Sequence, residues 1–337
     1  MKSKKNSNEL CEKNMQSNPL IILTGPTSVG KTKLSISLAK KLNGEIISAD
    51  SMQVYKRMNI GTAKASAAEQ AEIRHHLIDI LEPWEDFNVV SFQEYAKKAV
   101  NDIQSRGKIP IVVGGTGFYI QSLLYDINFT ENDVNTELRK RLEAESQKDD
   151  GISLYNYLLQ IDPVAAEQIH PNNKKRVIRA VEFYELTGEK ISDHNAEQKQ
   201  HASAYNSAYF VLTMNRETLY NRIDQRVDIM LQEGLLNEVK SLLAEGCTPE
   251  MVSMQGLGYK EIIRHLQGEI TLEEAIYILK RDTRHFAKRQ LTWFRRERDV
   301  IWLDKDRFAL TGIDADEAIE AYMIEYLQEH GIVPKIK

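Results

Sequence analysis

The stretch Leu20-Ile21-Ile22-Leu23-Thr24-Gly25-Pro26-Thr27-Ser28-Val29-Gly30-Lys31-Thr32 decides the fold of this chain. Leu20–Leu23 is a short apolar run of the kind that forms a fully buried parallel strand, and Leu34, Leu38 and Leu42 then recur at helical spacing until Asn43-Gly44 stops the pattern. Gly25 to Thr32 reads G-x-x-x-x-G-K-T between that strand and that helix, the required setting of a phosphate loop. The two glycines let the backbone approach oxygen atoms closely, and the free N–H groups at the helix start point at a polyanion. Lys31 adds a point charge, and the Thr32 hydroxyl is placed to ligand a Mg²⁺ that also touches the phosphates. A glycine-rich turn that binds nothing is the bland alternative. The full motif in its context points to a bound diphosphate or triphosphate.

The 337 residues suggest about two domains, and 42% hydrophobic with 28% charged residues is ordinary globular composition. No apolar run approaches the roughly 18 residues of a membrane span, so no membrane association is expected. Residues 1–18 are polar and rich in Lys, Asn and Ser, lack the apolar segment of a secretory signal, and read as a disordered tail. Cys11 and Cys247 are too few for a disulfide framework or a cysteine zinc site, which fits a reducing cytoplasm. A net charge of −5 argues against indiscriminate nucleic-acid binding but leaves room for a local basic surface.

Glu45–Ser48 reads as a second strand, and Asp50 follows just past its C-terminal end, where open α/β sheets gather their chemistry. Asp50 is either a turn cap or a functional acid facing the phosphate site. Ile60–Lys64 reads as a loop, and Ile78 with Ile80 as a further short strand. His75-His76 does not form a metal pair, because neighbours on a strand point to opposite faces. Phe92, Tyr95, Ala96, Ala99 and Ile103 share one face of a helix. Ile109–Val113 is a buried strand running into Gly114-Gly115-Thr116-Gly117, a second glycine turn that either closes over the same site or serves close helix–strand packing.

From about Ile127 the pattern becomes all-helical and stays so until Tyr209–Leu212, which marks residues 127–204 as an inserted subdomain. Lys174, Lys175, Arg176 and Arg179 cluster within it; a solvated face and an anion-binding face are both open readings. Arg222 and Arg226, four apart on the next helix, can face one direction. Asp224 and Asp228 between them can hold surface ion pairs, while helical arginines in phosphate-loop proteins often clamp phosphates. Lys280, Arg281, Arg284, Lys288, Arg289, Arg295, Arg296 and Arg298 face only Asp282 and Glu297, with Phe286, Trp293 and Phe294 interleaved. Such a segment reads as a nucleic-acid footprint, or blandly as core aromatics under a wet charged face. Val300–Leu303 is a last strand, and a terminal helix follows with Ala318, Ala321, Ile324 and Leu327 inward.

Together these stretches resemble the tRNA dimethylallyltransferase (tRNA isopentenyltransferase) family. The resemblance rests on Gly25–Thr32, Ile47–Tyr55, Asn59–Lys64, His76–Asp79, Val113–Gly117, Asp162–Ala166, Ile169–Asn172 with Arg176–Ala180, Gly258–Glu261 and Ala287–Phe294, in family order from residue 19 to about 304. Lys174-Lys175 stand where Pro-Gln is common in the family. With two cysteines the chain is similar to the shorter bacterial form rather than to eukaryotic relatives carrying a zinc finger.

The resemblance implies an α/β fold: a P-loop NTPase-like core at 19–126 and 205–337, with a mostly parallel sheet flanked by helices, and a helical insertion at 127–204 that binds tRNA. It implies a cytoplasmic, monomeric enzyme that moves a dimethylallyl group from dimethylallyl diphosphate to the adenosine 3′ of the anticodon, with Mg²⁺ as cofactor and the tRNA anticodon stem-loop as partner. The loop Gly25, Pro26, Thr27, Ser28, Val29, Gly30, Lys31 and Thr32 then holds a leaving diphosphate rather than ATP. Asp50 takes the family's position for the base, Thr27 for a hydrogen bond at the diphosphate, Arg226 for assisting its departure, and Thr32 for the metal. The implied tRNA path runs over Asp50, Ser51, Met52 and Gln53, then Thr116 and Arg139. It continues over Lys175, Arg176, Val177, Ile178 and Arg179, and over Gln255, Gly256, Leu257, Gly258, Tyr259 and Lys260. It ends on Asp282, Thr283, Arg284, His285, Phe286, Ala287, Lys288 and Arg289. Three rivals stay open: an isopentenyltransferase acting on free AMP or ADP, a nucleotide or small-molecule kinase, and a tRNA-binding protein without activity. The helical insertion and the basic segment Lys280–Arg298 speak against the first.

Overall fold

The apolar runs become the strands of one sheet. The computed structural model describes residues 18–127, 136–198 and 201–335. Strands β1 (Pro19–Thr24), β2 (Gly44–Ala49), β3 (His75–His76), β4 (Ile109–Gly114), β5 (Asn206–Thr213) and β6 (Val300–Asp304) pair in the order β3-β2-β4-β1-β5-β6. Every pairing is parallel. Leu20 to Leu23 are buried on both faces, as a central parallel strand requires. The chain leaves β1 toward β2 on one side and reaches β5 on the other, so the sheet's switch point lies between β4 and β1. Thr24 pairs with Gly114 there, which sets the phosphate loop and the second glycine turn side by side at the strands' C-terminal edge.

Helix α1 (Lys31–Lys41) buries Leu34, Leu38 and Ala39 on the sheet. Helix α2 (Ala67–Glu72) opens with a capping box from Ser66 and Glu69. Helix α3 (Val89–Ser105) and α4 (Gly117–Leu124) flank β4. The unit Tyr125–Ser203 separates from the rest of the chain as a compact body of its own. It contains α5 (Thr136–Lys148), α6 (Ile152–Ile161), α7 (Pro163–Gln168), α8 (Lys174–Thr187) and α9 (Ile191–Gln198) around a core that includes Leu142, Leu158, Val177 and Val181. The first unit resumes with α10 (Arg216–Glu233), α11 (Leu235–Ala244), a 3₁₀ turn at Ser253–Gln255, α12 (Tyr259–Leu266), α13 (Leu272–Phe294), α14 (Lys305–Ala309) and α15 (Ala315–Glu329). Among the described residues no helix is long and apolar enough to cross a membrane. The tail expected at residues 1–18 lies, except for Asn18, outside the described residues.

Three sequence expectations shift. The strand expected at Ile78 and Ile80 falls at His75–His76, because Leu77 (φ 62) and Asp79 (φ 55) take left-handed backbone and turn the chain out of the sheet. Tyr95 is exposed, and the buried stripe of α3 runs through Phe92, Gln93, Ala96, Ala99, Val100 and Ile103. On α15 the inward face is Ile319, Met323 and Leu327, turned away from Ala321. The buried Glu320 on that face meets Lys41 of α1 at 2.7 Å, an ion pair that apolar periodicity does not register.

Candidate active site

The phosphate loop is built from backbone that few residues tolerate. Gly25 has φ 146 and a Cβ there would stand 2.6 Å from Leu212 O, while Ser28 takes φ 64 and Gly30, the N-cap of α1, φ 99. Lys31 Nζ folds over the loop and donates to Gly25 O (2.9 Å) and Pro26 O (2.8 Å). Thr27 N donates to Gln290 Oε1 (2.9 Å), and Gln290 Nε2 donates to Gly115 O (3.0 Å). This buried amide of α13 therefore ties both glycine turns together. Gly115 leaves room for it, since a Cβ there would lie 2.1 Å from Gln290 Nε2, and Gly117 likewise accommodates the Trp293 ring. Both readings of the second glycine turn hold: it lies beside the loop and it admits a close-packed helix.

Asp50 leaves β2 at the same edge, half-buried, with Oδ1 accepting from Met52 N (2.9 Å) and Gln53 N (3.4 Å). It is thus a turn cap, at the same edge of the sheet as the phosphate loop. The crowding around it pushes its carboxyl above the usual carboxylate range, against the pull of those two N–H groups and of the Lys31 and Arg226 charges. Lys31 is drawn down to about 7, first by burial and then by Arg226, with Asp50 opposing. Burial also lowers Arg226, again opposed by Asp50. Lys31, Asp50 and Arg226 therefore share one electrostatic neighbourhood.

A cleft of about 580 Å³ opens beside Ser28, walled by Arg222 and Arg226 of α10 and by Ile60, Ala63 and Met230. Its far wall is held by Glu238 of α11, whose carboxylate accepts from Asn59 N, Ile60 N and Gly61 N at 2.8–3.1 Å and from the Tyr259 hydroxyl at 2.7 Å. Lys64 Nζ pins the same loop through Tyr55 O (2.7 Å) and Asp79 Oδ1 (2.6 Å). The cleft combines guanidinium charge with apolar side chains.

The remaining expected site residues divide. Thr116 N donates to Ala49 O (3.2 Å), and Met52 packs on Gly256, so Thr116, Ser51, Met52, Gln53 and the turn Gln255–Gly258 gather around Asp50. His285, Lys288 and Arg289 line a surface cleft of about 390 Å³ with Thr292, Trp293 and Arg296, and Arg289 lies 5.8 Å from the Phe286 ring. Arg284 instead grips Asp224 (2.5 and 2.8 Å), Lys280 meets Asp228 (2.6 Å), and Arg281 meets Asp282 (2.8 Å). The α10 carboxylates thus serve α13 rather than the neighbouring arginines. Thr283 bonds back to Leu279 O, and Lys260 lies 3.6 Å from Glu261. Val177, Ile178, Tyr259 and Ala287 are buried, so their side chains face the protein and not a surface that tRNA can touch. In the inserted unit Lys175 and Arg176 are exposed, while Arg139 forms a two-pronged bond to the buried Glu182 (2.9 and 2.6 Å) that Arg179 also approaches. Sequence reasoning gave no role to Gln290, Glu238 or Lys305. Gln290 lay inside a family motif, whereas Glu238 and Lys305 carried no local signal.

The Thr32 hydroxyl has no hydrogen-bond partner among the described residues, and as a hard oxygen donor it would suit a Mg²⁺. Glu45, His76 and Asp102 also come together, but Arg106 and Lys108 already take up the carboxylates, and Glu45 lies near the N-terminal end of β2, away from the loop.

The parallel sheet, the loop at its switch point and the arginine-walled cleft define an α/β protein of the phosphate-loop class. Residues 53–297 match the family model described as IPP transferase. The tRNA dimethylallyltransferase of Lachnoclostridium phytofermentans is 59% identical over 315 residues, covering 94% of this chain and 99% of that protein. Its counterpart from Acetivibrio thermocellus is 50% identical, covering 93% and 98%. The crystal structure of the tRNA isopentenylpyrophosphate transferase from Bacillus halodurans is similar at 43% identity and a TM-score of 0.68, covering 93% of this chain and 98% of that one. A structure of a eukaryotic dimethylallyltransferase acting on tRNA gives a TM-score of 0.78 at 34% identity, covering 92% and 79%. The chain belongs to the tRNA dimethylallyltransferase family.

Proposed function

We propose that this chain transfers a dimethylallyl group from dimethylallyl diphosphate to the exocyclic N6 amine of the adenosine 3′-adjacent to the anticodon of tRNA. The observation that carries the reading is Asp50, held by its turn in the electrostatic neighbourhood of Lys31 and Arg226. In this reading the loop N–H groups, Lys31 and Arg226 bind the diphosphate and stabilise the charge that builds on its bridging oxygen. Ile60, Ala63 and Met230 give the five-carbon chain an apolar wall. Thr32 would hold Mg²⁺, which when bound supplies further neutralisation of the leaving group.

Adenine's amine is a weak nucleophile because its lone pair is delocalised into the ring. As N6 bonds to the allylic carbon, the carbon–oxygen bond breaks with its electron pair going to diphosphate, and the N6 proton passes to the Asp50 carboxylate. The target base leaves the anticodon-loop stack to reach Asp50. The exposed Lys288 and Arg289 on α13, Arg296 in the turn just after it, and Lys175 and Arg176 in the inserted unit supply phosphate contacts. A free nucleotide needs no such surface, which favours tRNA over AMP.

Transfer of labelled dimethylallyl to unmodified tRNA, with AMP and a small-molecule kinase assay in parallel, tests this. Label on tRNA alone is expected. Label on AMP, or ATP turnover without tRNA, would replace the reading with the corresponding rival.

A further inference from the structure

Lys305 reaches the phosphate loop from the end of β6, the edge strand of the sheet. It opens α14 directly after β6, at the C-terminal edge where the loop also lies. A Cβ on Gly30 would stand 2.8 Å from Lys305 Nζ and 3.6 Å from Arg222 Nη2. Lys305 is only 8% exposed, and its ammonium is held by Asp316 Oδ1 at 2.5 Å, in the first turn of α15.

Gly30 caps α1 without any side-chain hydrogen bond, so the free N–H groups and the positive dipole end of that helix face these two cations. Lys31 adds positive charge one residue on. Cations gathered at a helix N-terminus repel both the dipole and one another, and of the described carboxylates Asp316 is the one paired with Lys305. A polyanion between the loop and the two cations attracts each of them and the helix N-terminus, and so offsets these repulsions. Burying a lysine there, with its own carboxylate to aim it, is otherwise unfavourable.

We infer that Lys305 is a diphosphate-binding residue for the transfer reaction and that Asp316 positions it. The inference rests on the proposed reading of the loop as the diphosphate seat. Lys305 and Arg222 contact the anion from the side opposite Lys31, so departure of diphosphate is stabilised from two directions.

The test is calorimetric titration of the full chain with inorganic diphosphate in Mg²⁺, alongside steady-state kinetics, for Lys305→Met, Lys305→Arg, Asp316→Asn and Gly30→Ala. Lys305→Met is expected to weaken diphosphate binding and raise the KM for dimethylallyl diphosphate by about tenfold, with the KM for tRNA unchanged. Lys305→Arg should restore most of the loss, and Asp316→Asn should fall between. If Lys305→Met does not fold, an unchanged donor KM in Asp316→Asn overturns the inference. Wild-type diphosphate affinity in Lys305→Met, with none in Gly30→Ala, would leave Lys305 only tying α14 to α15. Undiminished affinity in Gly30→Ala would overturn the loop as the diphosphate seat, and this inference with it.

Discussion

The Asp50 carboxyl closes a turn through Oδ1 and also feels the charges of Lys31 and Arg226. Asparagine can keep the cap but cannot accept a proton. Asp50→Asn is therefore expected to fold and to lose at least about a hundredfold in transfer rate. Because the folded carboxyl titrates above its usual value of 3.8, the native state holds more protons than the unfolded one between the two values. The protonated carboxyl's contribution to stability is complete below the unfolded value and is lost as pH rises through the folded one. Melting curves should show Asp50→Asn gaining on wild type over that window, while kcat/KM for tRNA in wild type rises with pH through the raised value. The structure sets the charges of Asp50 and Arg226 near Lys31, and at this scale the loop motif, Asp50 and Arg226 were expected from the sequence, by spacing or by place after a strand. Gln290 and Lys305 were not, since each gains its role only when the fold carries it hundreds of residues back to the loop.

At the scale of elements, strands were the most legible part, because parallel strands buried on both faces read as unbroken apolar runs. The errors came where polar groups decide, as at Glu320 and at the His75–His76 strand. Glu45, with a side chain only 2% exposed, accepts from Arg106, Lys108 and His76 and so fastens β2 to the turn before β4. The Arg106 bond, ahead of the Lys108 and His76 bonds, holds its carboxyl well below the usual range despite burial. Its contribution is present above the unfolded value of 4.5 and is lost as pH falls toward the folded one. Glu45→Ala should cost about 3 kcal/mol at neutral pH, read by urea unfolding, and blunt the acid limb of the stability profile. Gln290→Leu strands the Thr27 N–H and the Gly115 carbonyl; a loss of about 1–3 kcal/mol and a raised donor KM are expected.

The whole molecule carries a net charge of −5 yet concentrates basic residues on α13. Charge counting alone does not separate the helix's two jobs. Its ion pairs do: Lys280 and Arg284 bind α10, whereas Lys288, like Arg296 just past the helix end, makes no ion pair among the described residues. Lys288→Glu should raise the KM for tRNA and flatten its salt dependence, leaving the donor KM alone. Arg284→Ala should instead lower thermal stability, because it leaves Asp224 without its partner. A helical insertion at 127–204 was expected from the change of pattern, and the unit Tyr125–Ser203 separates as a compact body.

In the proposed reaction Asp50 accepts the adenine proton while the loop holds the departing diphosphate. Single-turnover transfer on pre-bound tRNA and donor measures that step directly, in wild type and in Asp50→Asn. A chemical step slowed by at least about a hundredfold in Asp50→Asn, with tRNA and donor affinities kept, is expected. An Asp50→Asn rate within a fewfold of wild type would contradict it.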